Sequence, residues 1–161
     1  MLRLVRLAAL ALPVVMISSA VFAAPTVVNV TLSNQTITTD LPTNLGMAMP
    51  GADKSKAVMS VVAEPQTVPA GEVSFVATNK SPDFVHEMIL LKITDPTKPL
   101  PFVAADQKID EDAAGHLGEV SELDPGKSGT LTIKLDPGTY MLLCNVAGHY
   151  MAGMWTTITV Q

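Results

Sequence analysis

From Thr130 to Leu135 apolar and polar residues alternate, with Leu131, Ile133 and Leu135 on one side and Thr130, Thr132 and Lys134 on the other. Successive side chains of a strand point to opposite faces, so this pattern predicts a half-buried β-strand. The same period of two runs through Glu72–Thr78 and turns Val73, Phe75 and Ala77 inward. Val27–Leu32, Ala57–Ala63, Thr139–Cys144 and Trp155–Val160 add further strand-like runs, and Val85–Ile93 is apolar almost throughout. Between them stand Pro69-Ala-Gly71, Asp124-Pro-Gly126 and Asp136-Pro-Gly138, combinations that preset or permit turn geometry. Many short strands separated by such turns predict an all-β sandwich of about seven to eight strands. One short helix is expected, over Asp110–Gly118, inside a long irregular stretch from Asp95 to Gly126. The pattern contains no internal repeat and no sign of a second domain.

The first residues follow a different rule. Arg3 and Arg6 precede an apolar stretch from Leu7 to Phe22, and small residues follow at Ala23 and Ala24. That is the anatomy of a secretory signal peptide over residues 1–23, with Val21-x-Ala23 as cleavage motif. Pro13 and Ser18-Ser19 interrupt the stretch, which is short against the roughly 20 residues of a membrane span. An uncleaved anchor is the competing reading. Residues 24–161 are then expected to form one domain, periplasmic or otherwise exported, without stable membrane insertion. Its less regular beginning, 24–56, is read as an N-terminal extension with the first strand.

Charge narrows the partners. Losing the leader removes both arginines and leaves eight lysines against fifteen acidic residues, a formal charge of −7 with histidines neutral. Without arginine there is no bidentate grip on phosphate, so nucleic acid is not an expected partner. An acidic surface instead suits encounter with a basic protein. Asp106, Asp110, Glu111, Asp112, Glu119, Glu122 and Asp124 concentrate negative charge in one stretch.

The chemistry lies near the C-terminus. Cys144-Asn-Val-Ala-Gly-His149-Tyr-Met-Ala-Gly-Met154 is a C-x4-H-x4-M run around the chain's only cysteine. An exported chain with one cysteine has no internal disulfide to form, so the thiol is buried and inert, intermolecular, or a ligand. A thiolate, an imidazole and a thioether at this spacing are three of the four donors of a blue-copper site, a trigonal His₂Cys plane with a weak axial methionine. A second histidine is required from elsewhere. His86, in the apolar run Phe84–Leu91, is expected to supply it, because a strand can fix an imidazole, whereas His116 sits between glycines in a loop. Met154 is preferred to Met151 as axial donor, since Met151 follows His149 too closely.

With these residues in view, the chain resembles the cupredoxins, small exported copper proteins such as plastocyanin, azurin, rusticyanin and sulfocyanin. The strand–Cys–loop–Gly-His–Met–strand pattern matches Tyr140–Val160, and the upstream histidine after a strand and loop matches Asn79–Leu91. The resemblance runs from Ala57 to Gln161. It implies a Greek-key β-sandwich holding one type 1 copper through His86, Cys144, His149 and Met154. It further implies transfer of single electrons between redox partners, such as a c-type cytochrome or a membrane oxidase or reductase complex, with no enzymatic turnover.

Departures from the family pattern raise separate expectations. Ala147 stands where rusticyanin-like loops often carry proline, which loosens the ligand loop. Glu87 follows the first histidine where many cupredoxins have asparagine, and Asn145 follows the cysteine. Either a Glu87–Asn145 hydrogen bond ties the ligand loops, or Glu87 is solvated. No histidine flanks Cys144, so the wiring of multicopper oxidases to a further copper is missing. His116 with Glu119 offers a weak second metal pair, against the ordinary reading of an exposed loop histidine. Met47 and Met49 serve either as core filling, as transient Cu(I) donors, or as docking surface with Val146, Ala147, Tyr150 and Met151 around an exposed edge of His149. A copper-binding, delivery or resistance protein is the alternative to an electron carrier.

Overall fold

The computed structural model describes residues 24–34 and 40–161, and the leader expected over 1–23 lies outside the described residues. The first strands are β1 (Thr26–Asn34), β2 (Met59–Glu64), the short β3 (Thr67–Val68), β4 (Gly71–Asn79) and β5 (His86–Ile93). A two-residue pair, β6 (Phe102–Val103) and β7 (Lys108–Ile109), leads to the single-turn helix α1 (Glu111–Ala114). Then follow β8 (His116–Leu123), β9 (Ser128–Leu135), β10 (Gly138–Leu143) and β11 (Trp155–Val160). Eight of these strands are six residues or longer, in line with the alternation.

They form two packed sheets, a four-stranded one ordered β2-β1-β4-β9 and a five-stranded one ordered β3-β11-β10-β5-β8. In the first, β1 runs parallel to β4, with Val28 opposite Phe75 and Val30 opposite Ala77. Those four side chains are buried between the sheets, as are Val73 and Leu32. The opposite face is wet: Ser74 and Thr132 share a hydroxyl hydrogen bond of 2.7 Å, and Thr78 and Ser128 one of 2.8 Å.

The five-stranded sheet behaves differently. Met88 and Leu90 of β5 join Leu142, Cys144 and Met154 in the inter-sheet core. Ile89, Leu91 and Ile93 point the other way and are buried as well, with Met141, Leu143, Met47, Ile109, Tyr150 and Met151. Segment 45–49, β6, β7 and α1 cover this outer face, which is why β5 is apolar at both parities.

Two expectations are corrected here. The stretch from Asp95 to Gly126 is not irregular throughout, since β8 is its edge strand. The helix is shorter than Asp110–Gly118: the Asp110 side chain caps it by accepting from Ala113 N at 3.0 Å, and Gly115 ends it at φ 75°. His116 therefore opens a strand and does not lie in a loop. Register shifts of β8 opposite His86/Met88 and Leu90/Leu91 broke the alternation that would have revealed it. Among the described residues no helix is long and apolar enough to cross a membrane.

Candidate metal centre

His86 is the first residue of β5, and the loop before it is held by a buried asparagine. Asn79 Nδ2 donates to Phe84 O and to Leu123 O, both at 2.7 Å, while its Oδ1 accepts from Ser81 N at 2.8 Å. Ser81 Oγ then accepts from Phe84 N at 2.9 Å. A loop with its amide and carbonyl groups satisfied internally presents His86 from a fixed position. Sequence reasoning missed Asn79. Its signal was modest: an asparagine closing an alternating strand just before a Ser-Pro-Asp turn.

Cys144 directly follows β10, and its N–H donates to Met154 O at 3.1 Å. The nine residues between turn tightly, through His149 N to Val146 O at 2.9 Å and Met154 N to His149 O at 3.0 Å. Gly148 and Gly153 have φ of 82° and 92°, so both loop glycines occupy left-handed backbone that other residues adopt at a cost. At Gly153 a side chain would also meet Ala57 Cβ at 2.8 Å.

These supports bring three donors together. His86 Nδ1 lies 3.3 Å from His149 Nδ1, Cys144 Sγ lies 3.3 Å from His149 Nδ1, and the third edge, Sγ to His86 Nδ1, is 3.8 Å. The centre of such a triangle is about 2.0 Å from each corner, the length of a metal–imidazole bond. His86 and Cys144 are fully buried and His149 is 3% exposed. Met154, fully buried, belongs to the same inter-sheet core as Cys144, whereas Met151 lies in the outer cluster, its Sδ against Gly46.

Burial favours the uncharged form of each of these three donors. Burial pushes the Cys144 thiol up to about 12, although the Glu87 and Val146 N–H groups favour its thiolate. Burial, with His149 beside it, lowers His86 to about 4, and burial alone lowers His149 to about 4. Two neutral imidazoles therefore aim nitrogens at a sulfur that ionises only when a cation replaces its proton. Two imidazoles, a thiolate and a thioether are soft-to-borderline donors that fit one type 1 copper ion.

The surroundings differ from expectation in three respects. Glu87 is buried and makes no bond to Asn145; its N–H reaches Cys144 Sγ at 3.4 Å. Burial raises its carboxyl pKa, with Lys108 opposing. Asn145 ties elsewhere: its Oδ1 accepts from Ile109 N at 2.7 Å, and its Nδ2 donates to Ile109 O at 3.0 Å and to Glu111 Oε1 at 2.9 Å. Thus β7 and α1 lock the cysteine end of the loop.

Second, Tyr150, Met151 and Met47 do not form a surface patch. They are buried in the outer cluster, with Met49 half-buried beside them. Tyr150 Oη accepts from Met47 N at 2.8 Å, Leu45 N donates to Met151 O at 2.8 Å, and Trp155 Nε1 donates to Leu45 O at 2.8 Å. Lys54 Nζ donates to Gly153 O and Trp155 O at 2.6 and 2.8 Å. The segment 45–54 is a strap over the ligand loop. Of Val146, Ala147, Tyr150, Met151, Met47 and Met49, only Ala147 is exposed, and Val146 is half-buried; Phe84, also half-buried, sets its ring edge-on to His149 at 6.1 Å. Third, His116 is not an exposed loop histidine: half-buried and apart from the thiolate centre, it gathers with Glu111 and Glu119.

Residues 58–161 match the Sulfocyanin (SoxE) domain family. Sulfocyanin from Sulfolobus acidocaldarius is 27% identical over 97 residues, covering 58% of this chain and 49% of that protein. Auracyanin-B from Chloroflexus aurantiacus is 42% identical over 50 residues, 30% of this chain and 21% of that protein. The matched segments thus span half or less of these curated relatives. Among solved structures, rusticyanin from Thiobacillus ferrooxidans superposes with a TM-score of 0.52 at 18% identity, covering 86% of this chain and 79% of that one. It shares the fold. With two packed sheets, a donor set suited to type 1 copper and a family match over most of its length, the chain belongs to the sulfocyanin (SoxE) domain family of cupredoxins.

Proposed function

We propose that this protein is an exported carrier of single electrons that holds one copper through His86 Nδ1, Cys144 Sγ, His149 Nδ1 and axial Met154. The observation that carries the proposal is the donor triangle of 3.3, 3.3 and 3.8 Å, assembled from side chains that backbone and strap already hold. Bound there, copper supplies a one-electron Cu(I)/Cu(II) couple to which soft sulfur and imidazole donors are both suited. The protein's part is to keep the donors still. Asn79 holds the His86 loop, Asn145 and the strap hold the Cys144–Met154 loop, and burial keeps water from the thiolate.

Four protein donors leave no open coordination position, which favours a carrier over a copper enzyme. Delivery of copper would draw support from spare thioethers, but Met47 is packed in the outer core and Met49 lies half-buried against it. Export rests on the leader-like residues Arg3 to Ala24. For docking, the end of the molecule near His149 offers Ala147, Val146 and Phe84 as a small apolar face. The acidic residues from Asp106 to Asp124 would steer a basic partner such as a c-type cytochrome, or a membrane oxidase or reductase complex.

Voltammetry of the copper-loaded protein tests the carrier directly. A reversible one-electron wave, stable to a competing copper chelator, is expected. Rapid loss of copper to the chelator with no reversible wave would favour delivery instead.

A further inference from the structure

A second donor cluster takes no part in the function above. Glu111, His116 and Glu119 present ligand atoms that all lie within 4.8 Å of one another, with His116 Nε2 3.9 Å from Glu119 Oε2. Residues three apart on a regular strand face opposite ways, so His116 and Glu119 ought not to meet. A bulge brings them together. On β5, Ile89, Leu90 and Leu91 stand opposite Glu119, Gly118 and His116, which leaves Leu117 without a partner and 42% exposed. Directly opposed residues share a face, so His116 and Glu119 both project on the outer side with Leu91 and Ile89. Gly115, at φ 75°, turns the chain from α1 into β8 and folds Glu111 back over that face.

Two buried polar atoms point to a missing ligand. His116 Nε2 is shielded from solvent and has no hydrogen-bond partner among the described residues, since 3.9 Å is too long for one. The Glu87 side chain, on the same face of β5 as Ile89, belongs to a residue only 8% exposed, and its Oε1 is likewise unpartnered. Glu111 Oε1 accepts from Asn145 Nδ2 at 2.9 Å and Glu119 Oε1 from Ser121 Oγ at 2.8 Å, but His116 Nε2 and Glu87 Oε1 stay unpaired, and a bound ion is a standard resolution for such buried atoms.

We propose that Glu111, His116 and Glu119 form a binding site for a zinc-class divalent cation. One imidazole and two carboxylates are donors zinc accepts, with water filling the fourth position, whereas the imidazole disfavours calcium and magnesium. Tetrahedral bonds of about 2.0–2.1 Å place donors about 3.3 Å apart. The cluster reaches that separation by closing gaps of up to about 1.5 Å between side-chain ends, a rotamer adjustment at a partly exposed edge strand. The cation would sit one hydrogen bond from the thiolate centre, because Glu111 Oε1 accepts from Asn145 Nδ2 beside Cys144.

Calorimetric titration of zinc into the copper-loaded full chain tests the site with the thiolate centre already filled. One equivalent of zinc is expected to bind. The affinity should fall at least about tenfold in His116→Ala and in Glu119→Gln, because losing a direct ligand costs no less than losing an outer partner. Asp106→Asn, an exposed acidic neighbour, should leave it unchanged, and circular dichroism should show all three variants folded. The same titration of Cys144→Ser separates this proposal from the copper assignment, since His116-dependent zinc uptake should persist there. Absence of zinc uptake by the copper-loaded chain, or uptake equal in wild type and His116→Ala, would overturn the proposal.

Discussion

The four-stranded sheet buries one face and the five-stranded sheet buries two, and the metal centre belongs to the second. In the first sheet, hydroxyl pairs and exposed Val27 and Val62 face water opposite the core. In the second, β5 sends Met88 and Leu90 into one core and Ile89, Leu91 and Ile93 into another. A site whose donors must not move gains from the doubly covered sheet. His86 and Cys144 enter from adjacent strands of that sheet, and the outer cover fastens the loop between Cys144 and Met154 by hydrogen bonds from Leu45, Met47, Lys54 and β7. One layer builds the fold, and the extra layer stiffens the site.

The largest effect should follow from emptying the outer core. Leu91→Ala removes a fully buried side chain there and is expected to cost about 2–5 kcal/mol in denaturant unfolding. Val62→Ala, at a position 45% exposed on the one-sided sheet, should stay within about 0.5 kcal/mol. Equal effects would mean that the outer cover contributes no packing.

The strap itself is tested by Gly46→Ala. A methyl group at Gly46 would lie 2.7 Å from Tyr150 Cε1, next in sequence to His149, and 3.2 Å from Met151 Sδ. Overpacking of this kind is expected to cost about 1–3 kcal/mol and to shift the copper absorption bands. Wild-type stability and an unchanged spectrum would show that the strap yields without touching the ligands.

Smaller in stability, and sharper in function, is the pair of methionine variants. Met154→Leu should keep copper bound and raise the reduction potential, because losing a weak axial donor disfavours Cu(II) more than Cu(I). Met151→Leu is a near-isosteric change in the outer cluster and should cost less than about 1.5 kcal/mol with little change in potential. The opposite ranking of potentials would move the axial role to Met151.

The one-sided sheet was legible, and so were β5, β10 and β11 of the other. Period-two patterns in Glu72–Thr78 and Thr130–Leu135 correspond to β4 and β9, because water on one face enforces polar residues at every second position. The C-x4-H-x4-M run was legible because its donors are close in sequence, and His86 because it opens an apolar strand. The outer layer was not. Segment 45–54, β6, β7 and α1 are too short to carry a period, and their apolar residues read as loop composition until the tertiary fold lays them on β5. β8 was hidden by its own bulges, which also set His116 and Glu119 side by side against the strand period. Glu87 defied both readings because its environment comes from this cover. It is neither solvated nor bonded to Asn145, whose partners, Ile109 and Glu111, lie more than thirty residues upstream.

The visible absorption spectrum of the copper-loaded chain, compared with Cys144→Ser, tests the central claim most directly. A thiolate held within a buried triangle of two imidazoles predicts an intense sulfur-to-copper band in the wild type. Serine offers no soft donor, so the band should vanish in the variant even where the fold, measured by circular dichroism, is unchanged. An intense band that survives Cys144→Ser, or a wild-type chain that binds copper without one, would contradict the site.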